Sequence, residues 1–151
     1  MRRLRISRVV AAVVAVVTGG ALAAFGPAGP AVAYFSPPLY LDLRVDTPAY
    51  LVAGGAAVNV PVEVICTSST AYVTVTITQS VNGTVAQGST WADVGCTHAW
   101  QTFLLTVPAT VSGAAFVRGS ALAQASTSAC TGPPDYTCGA ERYTATIRLR
   151  R

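Results

Sequence analysis

The chain is 151 residues long with a formal net charge of +4; 52% of it is apolar and only 11% charged, with a single histidine and four cysteines. Four of its ten basic residues, Arg2, Arg3, Arg5 and Arg8, crowd the amino terminus, while beyond residue 33 Arg44, Arg118, Arg142, Arg148, Arg150 and Arg151 are balanced by Asp42, Asp46, Glu63, Asp93, Asp135 and Glu141. The high pI therefore belongs to the amino-terminal segment and gives no ground for a nucleic-acid partner, so none is expected, and one histidine leaves little room for metal or triad chemistry.

Residues 1–33 read as an export signal: a basic start, the apolar run Val9 to Val17, and Ala31-Val32-Ala33 ahead of a cut before Tyr34. Gly19, Gly20, Gly26, Pro27, Gly29 and Pro30 interrupt the apolar segment short of the ~20 residues that a spanning helix needs. Residues 34–151 are then expected as a single secreted, extracellular domain with no membrane attachment after signal cleavage.

Tyr34 to Pro38 is an extended lead. Leu39, Leu41, Leu43 and Val45 alternate with Tyr40, Asp42, Arg44 and Asp46, which predicts a strand with one wet face. Ala49 to Ala57, centred on Gly54-Gly55, predicts a turn into a second strand, Val58 to Cys66, in which Pro61 demands an edge position or a bulge. Tyr72 to Gln79 places Val73, Val75 and Ile77 on one face and Thr74, Thr76 and Thr78 on the other. Asn82-Gly83 then predicts a tight hairpin, with Thr84 to Gln87 pairing back.

Further on, Gln101, Phe103, Leu105 and Val107 share a parity that Cys96 lacks, so either a bulge separates Cys96 from Phe103 or Cys96 lies in the loop before that strand. Ala115 to Ala125 alternates strictly and predicts a strand, followed by a loop from Ser126 to Ala140. Tyr143, Ala145, Ile147 and Leu149 predict a terminal strand, whose end Arg148 to Arg151 stays locally basic. That end reads as solvated, with contact to an anionic surface as the alternative.

About seven short strands, with turn signals about every eight to twelve residues and no helix beyond residue 33, predict an all-β fold: a two-layer antiparallel sandwich, immunoglobulin-like. A closed barrel is the alternative. In an exported chain without CxxC, four cysteines predict two disulfides rather than a metal or redox site. Nesting around hairpin-like segments favours Cys66 with Cys96 and Cys130 with Cys138, while Cys66 with Cys130 would imitate an inter-sheet bridge.

The segments VEVICT, VTVTITQ, VAQG, VGCTHAW, QTFLLTVPA and CTGPPDYTC, in that order behind a signal peptide, resemble small secreted actinobacterial proteins with an immunoglobulin-like β-sandwich and no assigned activity. The resemblance implies the fold and export and supplies no catalytic residues. Neocarzinostatin-type chromoproteins are also two-disulfide sandwiches, and the long Cys66 to Cys96 spacing departs from their short cysteine loops.

No phosphate loop, zinc motif or calcium loop is present, so no cofactor or metal is expected. A triad would need His98 with Asp93, and no GxSxG elbow accompanies them. Trp91 and Trp100 flank Cys96, where they could form a stacking platform for a sugar or another flat ligand. The favoured expectation is that at least one of them, Trp100 more readily than Trp91, packs on the disulfide as core. Tyr136 stands near the tip of the Cys130 to Cys138 loop. The expected function is a non-catalytic binding or interaction module, with contacts from Trp91, His98, Trp100 and Tyr136 to an extracellular protein, a glycan or a small apolar ligand. A structural cell-surface or matrix protein is the alternative, and a small hydrolase using His98 ranks last.

Overall fold

In the computed structural model, residues 38–133 and 136–151 are described; the export signal and most of the lead that follows it lie outside them. Eight strands run in chain order: β1 (Leu41–Val45), β2 (Ala49–Val52), β3 (Ala57–Cys66), β4 (Thr70–Val81), β5 (Thr84–Gly95), β6 (Gln101–Pro108), β7 (Gly119–Cys130) and β8 (Cys138–Arg150). A single 3-10 turn, Ala53–Gly55, separates β2 from β3. No helix among the described residues is long and apolar enough to cross a membrane.

Hydrogen bonding links all eight strands into one sheet, within which two antiparallel sets can be told apart. In the first, β3 takes β1 and β2 along one edge and β6 along the other, all antiparallel. The second runs β8–β7–β4–β5, also antiparallel. The sets join where β2 pairs in parallel with β8. Period-two alternation explains the core, because a strand shows successive side chains to opposite faces. Val58, Val60, Val62 and Val64 of β3 share one buried cluster with Val73, Val75 and Ile77 of β4, Ala121, Ala123 and Ala125 of β7, and Ile147 and Leu149 of β8. The alanines of β7 are nearly as buried as the valines of the same cluster, so this strand contributes to the core with little side-chain bulk.

Pro61 falls neither on an edge strand nor in a bulge. Along one side of β3, β1 pairs with residues 62–66 and β2 with residues 57–59, so residue 61 meets the gap between them. A residue's N–H and C=O point the same way in an antiparallel strand. The Pro61 carbonyl accepts from Asp46 N at 3.0 Å in that gap, which is where its missing N–H would also have pointed.

Four boundaries differ from the sequence expectation. The Asn82-Gly83 hairpin forms with both residues at positive φ (49° and 82°), but β5 continues to Gly95 rather than ending near Gln87. The predicted turn Ala49 to Ala57 contains β2. The Ala115 to Ala125 alternation fails at its start: β7 begins at Gly119 (φ 143°), Phe116 is buried and Val117 exposed, the reverse of the parity that holds from Ala121 on. A glycine at that φ lets the chain change face without strain. The expected loop from Ser126 to Ala140 contracts to residues 131–137 because β7 and β8 pair as far as Cys130 and Cys138.

Both disulfides follow the nested pairing. Cys66 and Cys96 have Cα atoms 5.3 Å apart, and Cys130 and Cys138, opposite each other at the end of their ladder, 4.0 Å. Cys96 lies in the loop between β5 and β6, not on a bulged strand. His98, at φ 61° within that loop, marks where the chain resets its parity before Phe103.

Candidate functional site

The sequence grouped Trp91, His98 and Trp100 in one turn, and the structure separates them. Trp91 is a residue of β5, paired with Thr74, and it faces outward on the second strand set. Trp100 precedes β6 in the first set, and the Arg44 guanidinium of β1 stands 4.4 Å from its ring centroid. The two indoles therefore do not form one platform. Neither is core: Trp91 is 62% exposed and Trp100 38%. Trp100 misses the core because the parity of β6 buries Phe103, Leu105 and Val107 toward the centre and turns even-numbered positions outward.

Trp91 has a partner that sequence reasoning missed. Tyr72 of β4 lies with its ring centroid 5.7 Å away at an interplanar angle of 27°, a stacked pair in which Tyr72 is itself 43% exposed. The signal was present: the Asn82-Gly83 turn fixes the register, Val81 opposite Thr84, and counting back sets Thr74 against Trp91 and Tyr72 against Asp93, one diagonal step apart. The count fails only if the strand is stopped at Gln87.

From this pair a polar surface extends across four strands. One register row reads Trp91, Thr74, Ser126, Arg142; the next on one side reads Asp93, Tyr72, Ser128, Ala140; and that on the other Ser89, Thr76, Gln124, Thr144. At ~4.8 Å per strand, Trp91 and Arg142 stand about 14 Å apart in backbone terms. Two shallow depressions of about 250 and 240 Å³ lie along this face and share Thr74, Ser126 and Arg142. Thr74, Gln124, Ser126 and Arg142 make no side-chain hydrogen bond or ion pair with any described residue. Their polar atoms are open to a ligand.

Tyr136 is 75% exposed in the loop 131–137, whose ends are tied by Thr131 N to Thr137 O at 2.8 Å and by Thr137 N to Thr131 Oγ1 at 2.9 Å. His98 is exposed and bonds to no described residue. Among the described residues no three His, Cys, Asp or Glu side chains are grouped to hold a metal ion. No protein-family model, curated protein sequence or solved structure matches the chain.

Proposed function

We propose that the chain is an exported, non-catalytic binding module built on a two-layer, immunoglobulin-like sandwich, and that it takes a glycan across the outward face of β8–β7–β4–β5. The sandwich reading is supported by two antiparallel strand sets that share one core and by the parallel β2–β8 junction. Export is supported by two disulfides, which persist in oxidising compartments.

The observation that carries the ligand reading is the exposed Tyr72–Trp91 stack beside unpaired hydroxyl, amide and guanidinium groups. A sugar ring has an apolar face suited to an aromatic ring and a rim of hydroxyls that Thr74, Ser126, Gln124 and Arg142 can bond. An amide NMR titration with cellohexaose, chitohexaose and maltohexaose tests the placement. At least one oligosaccharide is expected to shift resonances on β4, β5, β7 and β8; shifts confined to residues 96–100 or 131–137 would contradict the assignment to this face.

A second, structural reading draws on the outer edge of β5. The segment 109–114 covers its first half, through Thr110 N to Gln87 O at 2.7 Å and Ala114 N to Val85 O at 3.4 Å. Ser89 to Gly95 carries no strand beyond it among the described residues. Open edges invite pairing between copies. Sedimentation that stayed monomeric at high protein concentration would argue against this reading.

A further inference from the structure

The end of the β7–β8 ladder remote from the Cys130–Cys138 disulfide collects four of the six arginines of residues 34–151. The ladder closes with Ser120 opposite Arg148 and Gly119 opposite Leu149, so Arg118 and Arg150 are the next residues along their two segments. Arg118, Arg148 and Arg150 line one depression of about 430 Å³. Arg118 and Arg151 rim a second, of about 330 Å³, floored by Leu51, Gly54, Phe116 and Val117. Arg148 and Arg150 project to the same side of β8, about 7 Å apart.

Nothing among the described residues neutralises these charges, since the ion pair found there joins Arg44 to Asp42. Like charges side by side on a ladder are unfavourable, and here they gather at one end of a domain whose six arginines and six acids balance overall. The backbone beneath Arg118 is also fixed. Buried Gln79 accepts from Val117 N at 2.9 Å and donates to Val117 O at 2.9 Å and Ser120 O at 3.3 Å, while Phe116 N donates to Gly55 O at 2.9 Å. A guanidinium on an already ordered segment loses less entropy when it binds.

We propose that this end of the sheet is an anion-binding site for a linear polymer carrying closely spaced phosphate groups. Guanidinium groups bind phosphate oxygens through paired, charge-assisted hydrogen bonds. The four arginines spread over two adjoining depressions instead of converging on one point, so they fit a string of charges better than a single ion. They line recesses rather than ring an apolar crest, which favours a chain lying in the surface over a lipid bilayer. The site shares the outward face of β8 with Arg142 but lies at the far end of the strand: Arg142 and Arg148 are about 20 Å apart along it, and the glycan reading can fail without touching this one.

The test measures binding of long-chain inorganic polyphosphate to the purified protein, with orthophosphate and vesicles of equal parts phosphatidylcholine and phosphatidylglycerol as separate probes. Polyphosphate is expected to bind, and to weaken about 20-fold between about 50 and 200 mM salt if three arginines displace counterions. Replacing Arg118, Arg148 and Arg150 together by glutamine is expected to abolish that binding, while Arg44→Gln leaves it within about twofold. The triple variant should melt no lower than the parent, because a like-charge cluster is relieved; if it fails to fold, Arg118→Gln alone must still weaken binding about fivefold. Unchanged binding by the folded triple variant overturns the proposal. So does orthophosphate competing as well per phosphate as the polymer, or binding to the vesicles without binding to polyphosphate.

Discussion

Gln79 and Val117 bond each other twice, 38 residues apart in sequence: Val117 N donates to Gln79 Oε1 and Gln79 Nε2 donates to Val117 O, both at 2.9 Å. The side chain, 4% exposed, stands in for a strand neighbour and completes the hydrogen bonding of a segment that enters β7 without yet belonging to it. Gln79→Leu keeps much of the volume and orphans both Val117 groups. It is expected to cost about 2–4 kcal/mol, read from the denaturant midpoint, and to weaken polyphosphate binding with it. A cost under about 0.5 kcal/mol would show that the segment has other partners.

Gly88 of β5 is the point of closest backbone approach to the end of β6. A Cβ built there would lie 2.1 Å from the Pro108 carbonyl oxygen and 3.0 Å from Val107 Cγ1. Since the first of these is backbone, no side-chain rotation relieves it. Gly88→Ala is expected to destabilise the fold by about 2–3 kcal/mol, whereas Gly95→Ala, where a Cβ meets nothing within 4 Å, should change stability by less than about 0.5 kcal/mol. Equal midpoints for the two variants would contradict the strand placement.

Much of the fold was legible in the sequence because the core strands alternate cleanly. Val58 to Cys66 and Tyr72 to Gln79 bury the residues that their parity names, and the Asn82-Gly83 turn sets the register of β4 and β5. What was not legible depends on tertiary partners. The strand character of Gly88 to Gly95 comes from the β4 ladder, not from any hydrophobic alternation, since Gly88, Ser89 and Thr90 carry little apolar signal. A strict alternation carried through Gly119 puts Phe116 on the face opposite buried Ala121, Ala123 and Ala125, yet it is buried too, because the backbone changes face at that glycine. The site suffered most: stopping β5 early put Trp91 in a loop beside Trp100 and hid Tyr72 as its partner.

The two disulfides close loops of unequal length, with separations of 30 and 8 residues. On loop-closure entropy they contribute about 3.5 and 2.5 kcal/mol. Replacing Cys66 and Cys96 by alanine removes a buried half-cystine as well, so this double variant is expected to lose clearly more stability than the one replacing Cys130 and Cys138. Chemical denaturation of both variants decides the order, and the reverse order would contradict it.

Thr127 is 2% exposed on the inner face of β7, and its Oγ1 finds no hydrogen-bond partner among the described residues. Thr127→Val replaces the hydroxyl by a methyl of similar size. A gain of about 1 kcal/mol is expected in the thermal or denaturant midpoint, and a loss of that size would mean that the hydroxyl is bonded.

In the proposed function, ligand meets the protein at Trp91, on the strand face, and not at the loop around Trp100. With two tryptophans in the chain, Trp100→Phe leaves Trp91 as the sole indole. The most direct measurement is the tryptophan emission of this variant, titrated with cellohexaose, chitohexaose and maltohexaose. A saturable change with at least one of them, weakened about tenfold or more by adding Tyr72→Ala, is the predicted result. Emission that stays flat with all three, while the oligosaccharide that binds changes the signal of a Trp91→Phe protein instead, would contradict it.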